Sequence, residues 1–122
     1  MSTLERILIV DDDCRVLAAA RTLLGDYETE TVLDGETALA SVAEHRPRLI
    51  LLDLNLPGMT GVEMLRHLRS RDATIPVIVF TGLHDHGVVV EALREGAVVY
   101  LAKPFSTEEI RRVVARTLDE GP

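Results

Sequence analysis

The chain is poor in the residues from which special stability or special chemistry is usually built. A single cysteine, Cys14, rules out an internal disulfide and gives no structural zinc site. No apolar run approaches a membrane span, and Met1 to Arg6 lacks the apolar core of a signal peptide, so the expected address is the cytoplasm, with no membrane partner. Positive charge is outnumbered, with 13 basic residues against 20 acidic ones. A formal net charge of -7 argues against a nucleic-acid surface and gives little pull toward anionic lipid. Glycine-rich phosphate loops are missing too. There is no G-x-x-x-x-G-K-[ST], although Leu49 to Asp53 has the look of the strand that accompanies one, and three acids stand where a dinucleotide binder needs glycines.

Lysine is the sharpest scarcity. Twelve of the 13 basic residues are arginine, and the one ammonium is Lys103. Arginine serves as well as lysine at most surface positions. A planar, forked guanidinium does not replace a compact point charge that must reach one oxygen, so Lys103 is a candidate functional residue.

What is present describes one ordinary domain spanning residues 1–122. Hydrophobic residues make up 47% and charged residues 27%, and 122 residues are enough for a proper core. Short apolar runs alternate with amphipathic stretches. Ile7 to Val10 is a β-branched run ending in acid, followed by a helical face of Val16, Leu17, Ala20, Leu23 and Leu24 that Gly25 is expected to close. Tyr27 to Val32 alternates like a strand, and Ala38, Leu39, Val42 and Ala43 mark a second helix that stops before Pro47. Leu49 to Leu52 is apolar throughout, and Thr60 with Glu63 forms a capping box for a helix carrying Leu65 and Leu68. Val77 to Phe80, a helix using Val89, Ala92 and Leu93 up to Gly96, and Val98 to Ala102 follow. A second capping box, Ser106 with Glu109, opens the last helix.

Five strand–helix units in a row imply an α/β fold with a parallel sheet covered on both faces. Strands 1, 3 and 4 are apolar throughout, as doubly buried strands should be, while the alternating strand 2 belongs at an edge. Right-handed crossovers then favour the doubly wound (βα)5 flavodoxin-like order 2-1-3-4-5.

In such sheets ligands sit beyond the carboxyl ends of the strands. The residues found there are Asp11-Asp12-Asp13 after strand 1, Asp53 after strand 3, Thr81 after strand 4 and Lys103 after strand 5. Strands 1 and 3 are neighbours in the expected order, so their carboxylates converge. Two like charges about 4 Å apart repel by roughly 4 kcal/mol at an effective dielectric near 20. Such a cluster needs a cation or protons, and Mg2+ suits it, taking few carboxylates, keeping waters and accepting phosphate oxygens. Helix capping by Asp12 or Asp13 explains one acid, not three. A carboxylate facing Mg2+, with a hydroxyl and an ammonium opposite, is a good phosphoryl acceptor. Asp53 would attack in line while Mg2+, Thr81 and Lys103 hold the equatorial oxygens.

Four segments in order, Ile7-Leu-Ile-Val-Asp-Asp12, Leu51-Leu-Asp-Leu-Asn-Leu-Pro57, Phe80-Thr-Gly82 and Tyr100-Leu-Ala-Lys-Pro-Phe105, resemble the CheY-like response-regulator receiver domains of two-component signalling, over essentially the whole chain. The resemblance implies a phosphorelay protein that catalyses only its own phosphorylation and dephosphorylation. It implies Asp53 as phosphoacceptor and a sensor histidine kinase, or a small phosphodonor, as the source. It also implies Mg2+ ligation by Asp12, Asp53 and the backbone carbonyl of Asn55, with Asp11 acting largely through water. The Lys103–Pro104 bond would be cis. Tyr100 would be the aromatic that turns inward when the Thr81 hydroxyl moves to the phosphoryl group. A downstream effector or fused output domain would be met through the face made by helix 4, strand 5 and helix 5.

Some positions depart from the family pattern. Thr60 stands where aspartate is common, and both cap helices. Val98 and Val99 occupy a turn where one large subfamily carries an acid that pairs with Arg across a dimer. That ionic dimer is not expected here, and any homodimer on this face would be weak. Leu83, two residues beyond Thr81, and Asn55, two beyond Asp53, stand where side chains can screen or admit the water that hydrolyses a phosphoaspartate, and Leu83 is expected to limit that access and lengthen the phosphorylated lifetime. His84 and His86 around Asp85 are expected to be solvated, and Cys14 to be a packing residue. A haloacid-dehalogenase-type phosphatase also places aspartates after strand 1, but its pattern ends in Thr or Val where Arg15 stands. The competing class is a receiver-fold interaction module that works without phosphorylation.

Overall fold

The computed structural model describes residues 5–82 and 86–120. Five strand–helix units follow one another: β1 Arg6–Val10, α1 Cys14–Leu23, β2 Glu28–Val32, α2 Gly35–Glu44, β3 Leu49–Asp53, α3 Gly61–Arg71, β4 Val77–Thr81, α4 His86–Arg94, β5 Val99–Ala102 and α5 Thr107–Glu120. The strands form one parallel sheet in the order β2-β1-β3-β4-β5. This is the expected doubly wound arrangement, and both edge strands are the less buried ones. Every residue of β3 and of β4 is buried, which explains why these runs lack polar alternation.

Period-two alternation along the strands divides the core into two layers. On one side Ile7, Ile9, Leu49, Leu51, Ile78, Phe80 and Leu101 pack against Leu17 and Ala20 of α1, its cap Leu24, and Ile110 and Val114 of α5. On the other, Leu8, Val10, Ile50, Leu52, Val77 and Val79 meet α2, α3 and α4.

Both capping boxes form. Thr60 accepts from the backbone N–H of Glu63, whose carboxylate accepts from the Thr60 N–H, and Ser106 and Glu109 make the same exchange at α5. Asp34 caps α2 by accepting from the Thr37 N–H. Gly96 ends α4 with φ 102°, a left-handed conformation open to glycine.

Some boundaries differ from the sequence reading. Gly25 does not take a left-handed cap; α1 is capped by Leu24, φ -108°, whose N–H donates to the Ala20 carbonyl. Asp53 and Thr81 are the last residues of their strands rather than the first beyond them, because the ladder continues to the pairs Asp53–Phe80 and Thr81–Ala102. Val98 lies before β5 and is 55% exposed, and Leu93 is 41% exposed instead of packing. Among the described residues no helix is long and apolar enough to cross a membrane.

Candidate functional site

The same alternation that builds the core sorts the polar residues at the carboxyl end of the sheet. Continuing the row of Ile7 and Ile9 brings Asp11 to the α1/α5 side, and continuing Leu49 and Leu51 brings Asp53 there. Lys103 follows Val99 and Leu101 onto that side, whereas Thr81 follows Val77 and Val79 to the other, where Tyr100 also packs. Tyr100 is half-buried and pairs in register with Val79, one strand across from Thr81 and two residues below it.

Within this frame the charged groups meet closely. The Lys103 ammonium donates to Asp11 Oδ2 at 2.7 Å and stands 3.4 Å from Asp53 Oδ2. It also lies 4.9 Å from the centre of the Phe80 ring, a cation–π contact, and Phe105 meets Phe80 edge-on at 6.0 Å. The Lys103–Pro104 peptide bond is cis. The three consecutive acids divide their tasks. Asp11 is fully buried and accepts from the Asp13 N–H at 2.8 Å, Asp13 caps α1 by accepting from the Arg15 N–H, and Asp12 is exposed. Asp53 Oδ1 accepts from the Asn55 N–H at 3.2 Å, and the Asn55 side-chain amide donates to Thr81 Oγ1 at 3.3 Å.

Burial dominates the electrostatics of Asp53, which is only 3% exposed. Loss of hydration first, and the charge of the neighbouring Asp11 second, raise its pKa to about 6, against the opposing pull of the Lys103 charge and the Asn55 N–H. One ammonium among these acids leaves negative charge in excess. Carboxylate oxygens of Asp11, Asp12 and Asp53 lie within 4.8 Å of one another. All three are hard oxygen donors, and the exposed Asp12 leaves the cluster open to solvent on one side. Such a donor set fits Mg2+, which keeps several of its waters.

The structure thus brings together Asp11, Asp12, Asp53 and Lys103, and ties Thr81 to them through Asn55. Two contacts had no clear sequence signal: Phe80 under Lys103, and the Asn55 amide on Thr81. The aromatics next to Lys103 in sequence are Tyr100 and Phe105, yet the ring its ammonium faces is Phe80, on the neighbouring strand. Cys14 is exposed, contrary to its expected packing role, because it shares the helical row of Leu17 but lies one turn outside the packed part of that row. Leu83, His84 and Asp85 lie outside the described residues; His86 opens α4 and is exposed.

Residues 7–115 match the family model described as the response regulator receiver domain. The chain is 40% identical to Regulatory protein AtoC of Escherichia coli over 121 residues, 97% of this chain and 26% of that protein. It is 38% identical to Sporulation initiation phosphotransferase F of Bacillus subtilis, covering 93% of this chain and 94% of that protein. Among solved structures, the CheY-like response regulator receiver domain protein of Methanospirillum hungatei superposes with a TM-score of 0.91 at 31% identity, over 97% of this chain and 96% of that one. The chain spans about a quarter of AtoC and about half of the mycobacterial DNA-binding response regulator MtrA. A family match over nearly the whole chain, on a sheet of the order β2-β1-β3-β4-β5 with its acids gathered at the strand ends, shows that this protein belongs to the response regulator receiver domain family.

Proposed function

We propose that this receiver accepts a phosphoryl group on Asp53, supported by Mg2+, and reports it through Thr81 and Tyr100. The observation that carries the reading is the convergence of the Asp11, Asp12 and Asp53 carboxylates with the ammonium of Lys103. Phosphoryl acceptance is the general function of receiver domains in two-component systems. The assignment of individual residues is the finer step.

An Asp53 carboxylate oxygen attacks the phosphorus of the donor in line. The new O–P bond forms as the bond to the leaving group breaks, and the donor keeps that electron pair. Lys103, already beside Asp53, meets a phosphoryl oxygen and offsets its charge. Thr81, buried at the end of the adjacent strand, donates its hydroxyl to another oxygen. Asp11, Asp12, Asp53 and the Asn55 carbonyl are the groups that would hold Mg2+. When bound, it neutralises carboxylate and phosphoryl charge and favours the ionised Asp53 over the protonated form that burial promotes. Displacement of the Thr81 hydroxyl toward the phosphoryl group vacates space on the face where Tyr100 is half-buried, and the ring turns inward.

The phosphodonor is then a sensor histidine kinase or a small acyl phosphate. The output is an effector, or an output domain in the same polypeptide, met through α4, β5 and α5. With a net charge of -7 this domain itself is not the nucleic-acid-binding part, even where relatives are named as DNA-binding. Incubating the protein with Mg2+ and acetyl phosphate tests the reading. One phosphoryl group of added mass in the wild type, and none in Asp53→Asn or with EDTA, is the expected result. Folded wild-type protein that gains no mass, and does not respond to beryllofluoride, would instead be an interaction module on a receiver fold.

A further inference from the structure

We propose that Asn55 is a positioning residue whose side-chain amide holds the Thr81 hydroxyl in its resting place, and so sets how readily the Thr81–Tyr100 side of the sheet responds to a phosphoryl group on Asp53. The inference rests on the reading of Asp53 and Thr81 given above.

Thr81 is fully buried, and a buried hydroxyl without a partner is unfavourable. Among the described residues, the bond recorded to Thr81 Oγ1 comes from Asn55 Nδ2 at 3.3 Å. Asn55 itself is exposed and lies in the loop between β3 and α3, so its packing does not oblige it to stand there. Its backbone N–H donates to the Asp53 carboxylate at 3.2 Å. One residue therefore touches both the acceptor and the hydroxyl, which strand alternation sends to opposite sides of the sheet.

The direction of the bond sets the consequence. Asn55 occupies a lone pair of the Thr81 oxygen and leaves the hydroxyl proton free to be donated. A phosphoryl oxygen on Asp53 asks for that proton. To deliver it, Thr81 must move, and the bond from Asn55, already long, is stretched or lost. The amide thus stabilises the resting state relative to the responding one. Removing it leaves the resting hydroxyl without its partner while the responding hydroxyl has the phosphoryl oxygen. The Asn55 backbone, with the carbonyl assigned to the cation and the N–H on Asp53, is unchanged by a side-chain substitution.

Beryllofluoride with saturating Mg2+ is the probe. Binding is followed by the Tyr100 ring resonances in the wild type, Asn55→Ala, Thr81→Ala and the double variant. Asn55→Ala is expected to bind about two- to fivefold more tightly than wild type, the low end of what one neutral hydrogen bond is worth. The gain should vanish in the Thr81→Ala background, as a coupling between the two residues requires. Mg2+ affinity is measured for each variant without beryllofluoride, and binding is compared at a Mg2+ concentration that saturates that variant. In the unliganded variant the Thr81 side chain should pass from one rotamer to an average of several, seen in its methyl coupling constants. Unchanged or weaker beryllofluoride binding in Asn55→Ala overturns the proposal, as does an equal gain when Thr81 is already alanine. Failure of the folded wild type to bind beryllofluoride at all overturns the underlying assignment of Asp53, and this proposal with it.

Discussion

The β3–α3 and β4–α4 units are consecutive, adjacent and built on equally buried strands, yet they part company once the strand ends. β3 delivers Asp53 and turns tightly into α3, with the Gly61 N–H donating to the Leu54 carbonyl and a capping box at Thr60. α3 then buries Gly61, Val62, Met64, Leu65 and Leu68. β4 delivers Thr81, and α4 buries only Val89 and Ala92, with Val90 left 47% exposed. Its C-terminal end is held by arms from α3 instead. Arg66 pairs with Glu91 at 2.6 Å and with Glu95 at 3.0 Å, and Arg69 donates to the Gly96 carbonyl at 2.9 Å. Asp53, the proposed acceptor, stands on a unit locked by apolar packing. The hydroxyl that would respond to it stands before a helix held mainly by polar contacts, where repositioning costs least.

Truncations in the two helices should give the largest contrast. Leu65→Ala empties a fully buried site in α3 and should cost about 3 kcal/mol, within the usual range for such a cavity. Val89→Ala in α4 removes less buried surface and should cost about 1.5 kcal/mol. Urea denaturation of both variants checks this, and equal losses would mean that α4 is packed as firmly as α3.

The polar end of β3 yields the next effect, one that depends on pH. Below about pH 4 Asp53 is protonated whether the chain is folded or not. As pH rises the unfolded chain ionises first, while burial holds the folded Asp53 protonated to about 6. Stability carried by this group is therefore full at low pH, is lost between about 4 and 6, and stays lost above. The difference of about two units, which already contains the pull of Lys103, corresponds to roughly 3 kcal/mol as an upper bound. Asp53→Asn should thus be more stable than wild type in EDTA by roughly 2 kcal/mol at pH 8, and by little at pH 4. Added Mg2+ should narrow the gap, because the proposed site holds it only in the folded wild type. A gain independent of pH would show that Asp53 is not held protonated by burial.

Glycines at the starts of the two helices should respond with opposite sign. A Cβ on Gly61 would come within 2.6 Å of the Asp53 carbonyl oxygen and of Leu54 Cα, both backbone atoms that cannot step aside. Gly61→Ala should cost about 2 kcal/mol and disturb Asp53 with it. A Cβ on Gly87 meets nothing within 4 Å, so Gly87→Ala should stabilise by about 0.5 kcal/mol through the unfolded chain and helix propensity. Melting temperatures that fall for both would remove the contrast.

Much of this difference could be read along the chain, and some could not. The buried runs Leu49–Leu52 and Val77–Phe80, both capping boxes and the edge position of β2 follow from local pattern, since each depends on neighbours within a few residues. The charged and hydroxyl groups at four of the strand ends were legible for a related reason, as parallel topology carries every strand end to one rim. The exposure of Leu93 was not legible, because α4 carries Val88, Val89, Val90, Ala92 and Leu93 and is apolar nearly all round, so periodicity selects no face. The Asn55 amide on Thr81 and the Phe80 ring under Lys103 join residues 26 and 23 positions apart through loop path and rotamer, which no spacing rule encodes.

The Arg66 arm separates local from global stability and gives the smallest effect. Arg66, Glu91 and Glu95 are each roughly a third to a half exposed, so solvent and salt screen the pairs. Arg66→Ala should therefore leave the urea midpoint of global unfolding close to that of wild type. Its local effect should be larger in proportion, because α4 has so little buried surface to keep it in place. Hydrogen exchange in α4 should quicken by a few fold, while the amides of α3, which carries the substitution, stay protected. Raising the salt concentration should bring wild-type exchange in α4 toward that of the variant, since the lost contacts are screened ones. If α3 and α4 quicken together, the two helices open as one unit and the weaker packing of α4 gives it no mobility of its own.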